Sequence, residues 1–336
     1  MNLTAILIGI ILLYVGGIAL VASISKLGQI YRIPEFIVGF TFITLVTASP
    51  EIMVALQAGL NNAGQLVMGT VIGSNILNIG LVLGLTSVIY GGFPISSVLV
   101  RRGIPLMVAL CFLSFGILFI FGMNRWVAVI FIIGYLIFNL VMLQLIRQDN
   151  HLQQQMTQEM RPISLEGIIT TDKLLADDPK LTKSKVAPPK TWLEVVRLIV
   201  GIITLVIGAR LIVLEALKMA ETLGANYSII GVTFVAFAVV LPEIITIFAL
   251  DSKENSDLYF GNLMGSSVAN ILLVVGITGL IHPFEVDRHL LYFEYPAMLF
   301  LMVLMIPIGF DRRFSRFEGM MNVGLVVLFF VGVFTL

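Results

Sequence analysis

Cysteine is almost missing from this 336-residue chain: Cys111 is the only one, and it lies in an apolar run. That excludes a disulfide framework and a thiolate metal cluster, and Cys111 reads as a small buried hydrophobe. Charge is scarce too. Asp, Glu, Lys and Arg together make 12% of the residues, and 20 basic side chains balance 20 acidic ones. With no net field, nucleic acid is not an expected partner. The opening "MNLTAILIGI" lacks a basic stretch, so it reads as a retained helix rather than a cleaved signal, despite "ALVAS" near its end. No nucleophile stands with a paired histidine, and the aspartates fall in loops or at the edges of apolar runs. Hydrolysis, including intramembrane aspartyl proteolysis, is therefore not expected, and the chain does not read as an enzyme.

What is present is apolar side chain, at 58% of residues and a mean hydropathy of +1.03. Runs of about 20 apolar residues recur along the whole chain, the length a bilayer requires. They predict ten spans at 3–23, 35–58, 65–90, 101–121, 126–146, 193–214, 226–250, 258–281, 290–310 and 317–335. The fold class is an all-α polytopic membrane protein of two five-helix halves, 1–146 and 193–336. Between them lies a polar segment, 147–192, whose "RQDNHLQQQMTQEM" and "DDPKLTKSKVAPPK" suggest a mobile linker too short for a sizeable domain.

Lys and Arg concentrate on one set of loops: Lys26, Arg32, Arg101, Arg102, the linker, Lys253, Arg312, Arg313 and Arg316. The other set holds Arg125, Lys218 and Arg288. The basic side is expected to be cytoplasmic, which puts both termini outside a cell membrane and the linker inside. Five spans per half is an odd number, so the halves enter the membrane in opposite directions and any repeat between them is inverted.

A repeat is there. Residues 39–84, "GFTFITLVTASPEIMVALQAGLNNAGQLVMGTVIGSNILNIGLVLG", align without a gap on 231–276, "GVTFVAFAVVLPEIITIFALDSKENSDLYFGNLMGSSVANILLVVG". The offset is 192, and fifteen of the 46 positions are identical, among them Pro50-Glu51 with Pro242-Glu243, Gly73-Ser74 with Gly265-Ser266, and Asn78 with Asn270. Inverted repeats with polar interruptions point to an alternating-access transporter whose site lies near the midplane. Pro50 cannot donate to the Val46 carbonyl, nor Pro242 to that of Ala238, so freed carbonyl oxygens stand beside the carboxyls of Glu51 and Glu243. Ser74 and Asn78 share a helix face, as do Ser266 and Asn270. Gly69, Gly73, Gly261 and Gly265 allow close helix approach. This all-oxygen inventory suits a hard cation such as Ca²⁺, and the two glutamates balance one divalent charge.

These motifs resemble those of the cation/Ca²⁺ antiporter superfamily, in particular its prokaryotic Na⁺/Ca²⁺ exchangers, and the resemblance spans nearly the whole chain. It implies two inverted five-helix repeats and transport of Ca²⁺ against Na⁺ or H⁺, with no cofactor and no required protein partner beyond inorganic cations and the bilayer. It implies that Glu51 and Glu243 are the central ligands, flanked by Asn78 and Asn270, with Ser74, Ser266 and Thr47 beside them. Departures fall at the hydroxyls. Where the family keeps Thr-Ser, this chain has Thr47-Ala48 and Val239-Val240, and Ser49 takes the family's leucine position. Asn270 stands where many exchangers have aspartate. The divalent site is thus intact and the flanking Na⁺ sites are reduced, which leaves Na⁺ and H⁺ both open as counter-ion, and Ca²⁺ unresolved from Mn²⁺. A channel or a non-transporting sensor is the other class, but polarity here concentrates at one depth rather than along a stripe. Among other intramembrane polar residues, Thr41 and Thr233 are expected to bond their own helix backbones. Glu294 is expected at the interface near His289, Arg210 and Glu215 to snorkel at a helix end, and Asn139 to act as packing glue.

Overall fold

A helix whose backbone groups bond internally is the one element this much apolar sequence can place in lipid, and the computed structural model is built of helices. It describes residues 2–30, 48–147, 191–249, 256–307 and 312–335. Ten helices result: α1 (Leu3–Ile30), α2 (Ser49–Leu60), α3 (Gly64–Tyr90), α4 (Leu99–Phe121), α5 (Arg125–Arg147), α6 (Thr191–Leu223), α7 (Tyr227–Ala249), α8 (Ser256–Ile281), α9 (Leu290–Val303) and α10 (Arg316–Thr335). Each matches one expected span. The first half of the second span, Thr41, Val46, Thr47 and nearly all of the 147–192 segment lie outside the described residues. Helix α6 is longer than expected: 33 residues reach about 50 Å, well beyond a hydrocarbon core.

The halves mirror each other well past the aligned motifs. Helices α1 and α6 pack against each other, and their glycines correspond at the same offset of 192, Gly9 with Gly201 and Gly16 with Gly208. They meet crosswise. A Cβ on Gly208 would come 2.8 Å from the Gly9 carbonyl oxygen, and one on Gly16 would come 3.0 Å from that of Gly201. Carboxylates fasten both ends of this antiparallel pair. Glu194 lies 3.4 Å from Lys26, and Glu215 accepts the Asn2 amide at 2.7 Å and a bond from Lys218 at 2.8 Å. Glu215 is therefore buried and bonded rather than snorkelling; the N-terminus of α1 supplies its partner.

Beyond the aligned motifs the correspondence continues at an offset of 191. Phe93 pairs with Phe314 in a two-stranded sheet, β1 (Phe93–Pro94) with β2 (Arg313–Phe314). Their equivalents, Phe284 and Met123, form a bridge between the loops at the other end of the helices. Helix starts match as well. Asn124 Oδ1 accepts the amides of Trp126 and Val127, both at 3.0 Å. Its equivalent Ser315 opens α10 with a reciprocal capping box: Glu318 accepts the Ser315 amide at 2.7 Å, and the Ser315 hydroxyl accepts that of Glu318 at 3.3 Å.

Burial sorts the helices into an inner and an outer set. The most apolar stretch of α3 is 94% buried and that of α8 is 78%, against 28% for both α1 and α10. Outer helices turn large apolar side chains outward, such as Ile199, Ile203 and Ile207 of α6 and Leu328 and Val331 of α10. That is the arrangement of a multi-pass membrane protein, with the polar repeat helices at its centre.

Candidate cation site

Small residues let α3 and α7 touch at backbone distance. A Cβ on Gly73 would sit 2.8 Å from the Val232 Cα and 2.7 Å from the Ala236 Cβ, and one on Gly69 would sit 3.0 Å from the Val232 nitrogen. Gly231 returns the contact, with the Thr70 nitrogen 2.9 Å from its would-be Cβ. This bears out the close approach read from Gly69 and Gly73. Gly261 does not do the same work, for its nearest neighbour is the Leu99 side chain at 3.9 Å.

The two prolines act differently. Pro50 falls in the first turn of α2, which starts at Ser49 after the non-helical Ala48, where a missing donor costs nothing. Glu51 therefore lies at a helix N-terminus, whose free amides favour negative charge. Pro242 lies inside α7, whose helix runs on to Ala249. Of these two prolines, only Pro242 is expected to free a carbonyl among the described residues, that of Ala238.

Glu51 is 2% exposed, and its Oε2 has no hydrogen-bond partner. Glu243 of α7 is partly buried, and the two carboxyl groups interact electrostatically across the repeat interface. Ser74 and Ser266 each donate to the carbonyl three residues back, Val71 at 3.2 Å and Leu263 at 3.0 Å, leaving oxygen lone pairs free to accept. Asn270 Nδ2 spans the interface to Ser74 Oγ at 3.3 Å and Asn75 Oδ1 at 3.4 Å. Its own Oδ1 has no partner, and neither polar atom of Asn78 has one. A buried polar atom without a partner costs about 1–3 kcal/mol, and three such oxygens, Glu51 Oε2, Asn78 Oδ1 and Asn270 Oδ1, lie on the repeat helices. All of them are hard oxygens, as Ca²⁺ or Na⁺ requires. Thr47 lies outside the described residues.

Two features escaped the sequence reading. The first is Asn75, whose Nδ2 donates to the Ser267 carbonyl at 3.2 Å and approaches Met298 Sδ at 3.6 Å. Asn75 and Ser267 are repeat equivalents, so the pseudo-symmetry axis passes between them. The second is a π-helical turn in each polar helix, Leu77–Val82 in α3 and Ala269–Val274 in α8. They coincide at the offset of 192, and each carries its asparagine. Such turns gather at functional sites because they re-aim side chains within a helix.

Residues read as bystanders divide. Thr233 bonds the Ile229 carbonyl at 2.6 Å, as expected, and Cys111 is buried. Asn139 donates to Tyr135 of its own helix at 2.9 Å rather than joining two helices. Glu294, at the end of the π turn Leu290–Glu294, is 0% exposed and meets His289 Nδ1 at 2.8 Å.

A family model described as sodium/calcium exchanger protein matches residues 1–144 and 193–335. Inner membrane protein YrbG of Escherichia coli strain K12 is 30% identical over 302 residues, covering 90% of this chain and 86% of its own length. Sodium/calcium exchanger MaX1 of Methanosarcina acetivorans is 26% identical over 350 residues, covering 99% of this chain and 98% of its own. The solved structure of the sodium-calcium exchanger NCX_Mj soaked with 2.5 mM Na⁺ and 0.1 mM Ca²⁺ has the same fold. Its TM-score is 0.62 at 23% identity, over 98% of this chain and 99% of that one. Ten helices in two inverted halves, polar groups gathered between them and a family match over both halves lead to one assignment: the chain belongs to the sodium/calcium exchanger protein family.

Proposed function

We propose that this protein is a secondary antiporter that exchanges Ca²⁺ for Na⁺ by alternating access. Glu51 and Glu243 hold the divalent ion, with Asn78, Asn270, Ser74, Ser266 and Thr47 completing its surroundings. One observation carries the reading: Glu51 Oε2 and Asn270 Oδ1 are buried without partners between the repeats, as is the side chain of Asn78. Two carboxylates balance one Ca²⁺, and neutral amide and hydroxyl oxygens fill further coordination positions without adding charge. The Lys and Arg count supports a cell-membrane protein with both termini outside.

Proton exchange is the second reading. The family's hydroxyl positions here hold Ala48, Val239 and Val240, each 0% exposed and unable to ligate Na⁺ through a side chain. Two protons on the glutamates would replace one divalent ion without net charge. Radiolabelled Ca²⁺ uptake into proteoliposomes separates the readings: an outward Na⁺ gradient drives it in the first, an outward H⁺ gradient in the second. Uptake indifferent to both gradients would sink coupled exchange. Unlabelled Mn²⁺ as competitor reports divalent selectivity in the same assay.

A further inference from the structure

Glu294 stands apart from the site just described. It ends the π turn of α9, is 0% exposed, and places Oε1 2.8 Å from His289 Nδ1, while Oε2 is buried with no partner. At the 191 offset its equivalent in α4 is Gly103, so the acid is not part of the scaffold the two halves share. The His289 side chain is 32% exposed, so the pair runs from the loop at 282–289 to the protein interior. One helical turn further in, on the same face, Met298 meets Asn75 beside the cation site.

The charges around this pair are few. Asp287 turns one oxygen to the His289 amide at 3.1 Å and the other to the Ser228 hydroxyl at 3.0 Å, so it is occupied by the start of α9 and by α7. Arg288 and Tyr292 share the α9 segment, and Tyr227 lies on the adjoining turn of α7. Helix α3 carries no ionisable side chain over Gly64–Ile76. Helix α4 faces α9 through Phe115 and through Ser114, which bonds the Tyr295 phenol at 2.8 Å, with Cys111 beside them. Helix α10 presents Phe329, stacked on Phe293. Among these described groups, none but His289 is placed to balance a charge on Glu294.

With one proton between them, the pair is neutral overall, whether as imidazolium and carboxylate or as imidazole and carboxylic acid. Without it, a carboxylate is left at 0% exposure with no counter-charge, a state so costly that the segment must move or take up water. We infer that Glu294 and His289 form a proton-binding site separate from the two central glutamates. Through this site, pH on the membrane face of residues 282–289 governs how firmly the start of α9 seats against α3. The proton enters at the exposed imidazole and is shared between Nδ1 and Oε1. Its loss loosens α9 beside the cation path and slows turnover.

Two measurements test this. In a Glu51→Gln/Glu243→Gln background, infrared difference spectra between neutral and alkaline buffer isolate buried carboxyls, because exposed ones are already ionised there. A further Glu294→Gln change should remove the signal of the shared proton, in the carboxyl or in the imidazole bands; a spectrum unchanged in both overturns the inference. This arm needs no transport, so it stands even if coupled exchange fails. In the native background, Ca²⁺ flux should fall severalfold as that face is made alkaline. Glu294→Gln should flatten the profile, and His289→Gln should shift it without flattening it. A Glu294→Gln protein that keeps the native pH profile, or a His289→Gln protein whose profile does not move, refutes the role.

Discussion

Replacing Glu51 by glutamine tests the proposed site most sharply, because it changes charge and little else. The side chain is 2% exposed, and glutamine has the same shape, so packing is kept and an amide oxygen still points at the ion. What is lost is half of the −2 that balances a divalent cation. Removing one partner of a buried ionic contact costs about 3–5 kcal/mol; at about 1.4 kcal/mol per decade, Ca²⁺ affinity should fall roughly 10²- to 10⁴-fold. Asn78→Ala removes only a neutral ligand, worth about 1 kcal/mol or roughly fivefold, so the two substitutions should differ by well over a decade. Thermal unfolding reports the same quantity without transport. At 100 times its dissociation constant, Ca²⁺ stabilises the native protein by about 2.7 kcal/mol; after a hundredfold loss of affinity the same concentration contributes about 0.4 kcal/mol. The Ca²⁺-induced rise in Tm should thus nearly vanish in Glu51→Gln. The ion-free protein should be no less stable than before, since a repulsive neighbour of Glu243 is gone. Radiolabelled uptake completes the assay. Near-native flux in Glu51→Gln, or equal losses in Glu51→Gln and Asn78→Ala, would refute the reasoning.

Glu243→Gln should likewise abolish Ca²⁺ uptake, which the same liposome assay reads. Restoring the missing hydroxyls with Ala48→Ser, Val239→Thr and Val240→Ser should strengthen Na⁺ inhibition of Ca²⁺ uptake; an unchanged Na⁺ dose response would mean those positions do not face the ions. At the α1–α6 crossing, Gly208→Ala puts a methyl 2.8 Å from the Gly9 oxygen and 2.9 Å from the Leu13 nitrogen, both backbone atoms. Gly9→Ala first meets the end of the Ile212 side chain at 3.0 Å, which can move. Both overpack, at about 1–3 kcal/mol, and Gly208→Ala should lower Tm more. Ser315→Ala removes half of a capping box and should cost about 1 kcal/mol, measured as a drop in Tm with Ca²⁺ affinity unchanged.

Ten helices were legible because each buries its backbone within one apolar run, and hydropathy counts such runs directly. The repeat was legible because Pro-Glu, Gly-Ser and Asn recur in fixed register against an aliphatic background. Other features were hidden for physical reasons. A π turn adds one residue to a helical turn without changing composition, so Leu77–Val82 and Ala269–Val274 leave no mark in a hydrophobicity profile. Asn75 was overlooked because it faces a serine in the other repeat, and identity was the signal being read. The passage from an offset of 192 to one of 191 concealed that Phe93 answers Phe284, Asn124 answers Ser315 and Glu294 answers Gly103. Pro50 looked like a break inside a helix; whether a proline interrupts or begins one depends on the φ and ψ of Ala48, which composition does not record.

The two halves agree in their backbone devices and in only part of the side chains hung on them. Crossed glycines, paired π turns, helix caps at Asn124 and Ser315, and strand bridges at both ends all recur at fixed offset. Some polar positions do not follow suit: in sequence Asn75 corresponds to Ser267, Thr47-Ala48 to Val239-Val240 and Glu294 to Gly103, whereas Glu51, Ser74 and Asn78 match Glu243, Ser266 and Asn270. The physical demands on the two classes differ. Halves that rock against each other about a shared axis need matching contact surfaces, since a mismatch of one methyl at backbone distance costs about 1–3 kcal/mol in whichever state it strains. An ion needs only a set of oxygens of suitable number and charge, and it takes them from either half. Backbone symmetry is therefore held by packing, while side-chain symmetry is under less constraint. On the proposed site, a chain with Ala48, Val239 and Val240 at the family's hydroxyl positions and both glutamates present differs in the oxygens open to a monovalent ion, not in the carboxylates that balance a divalent one.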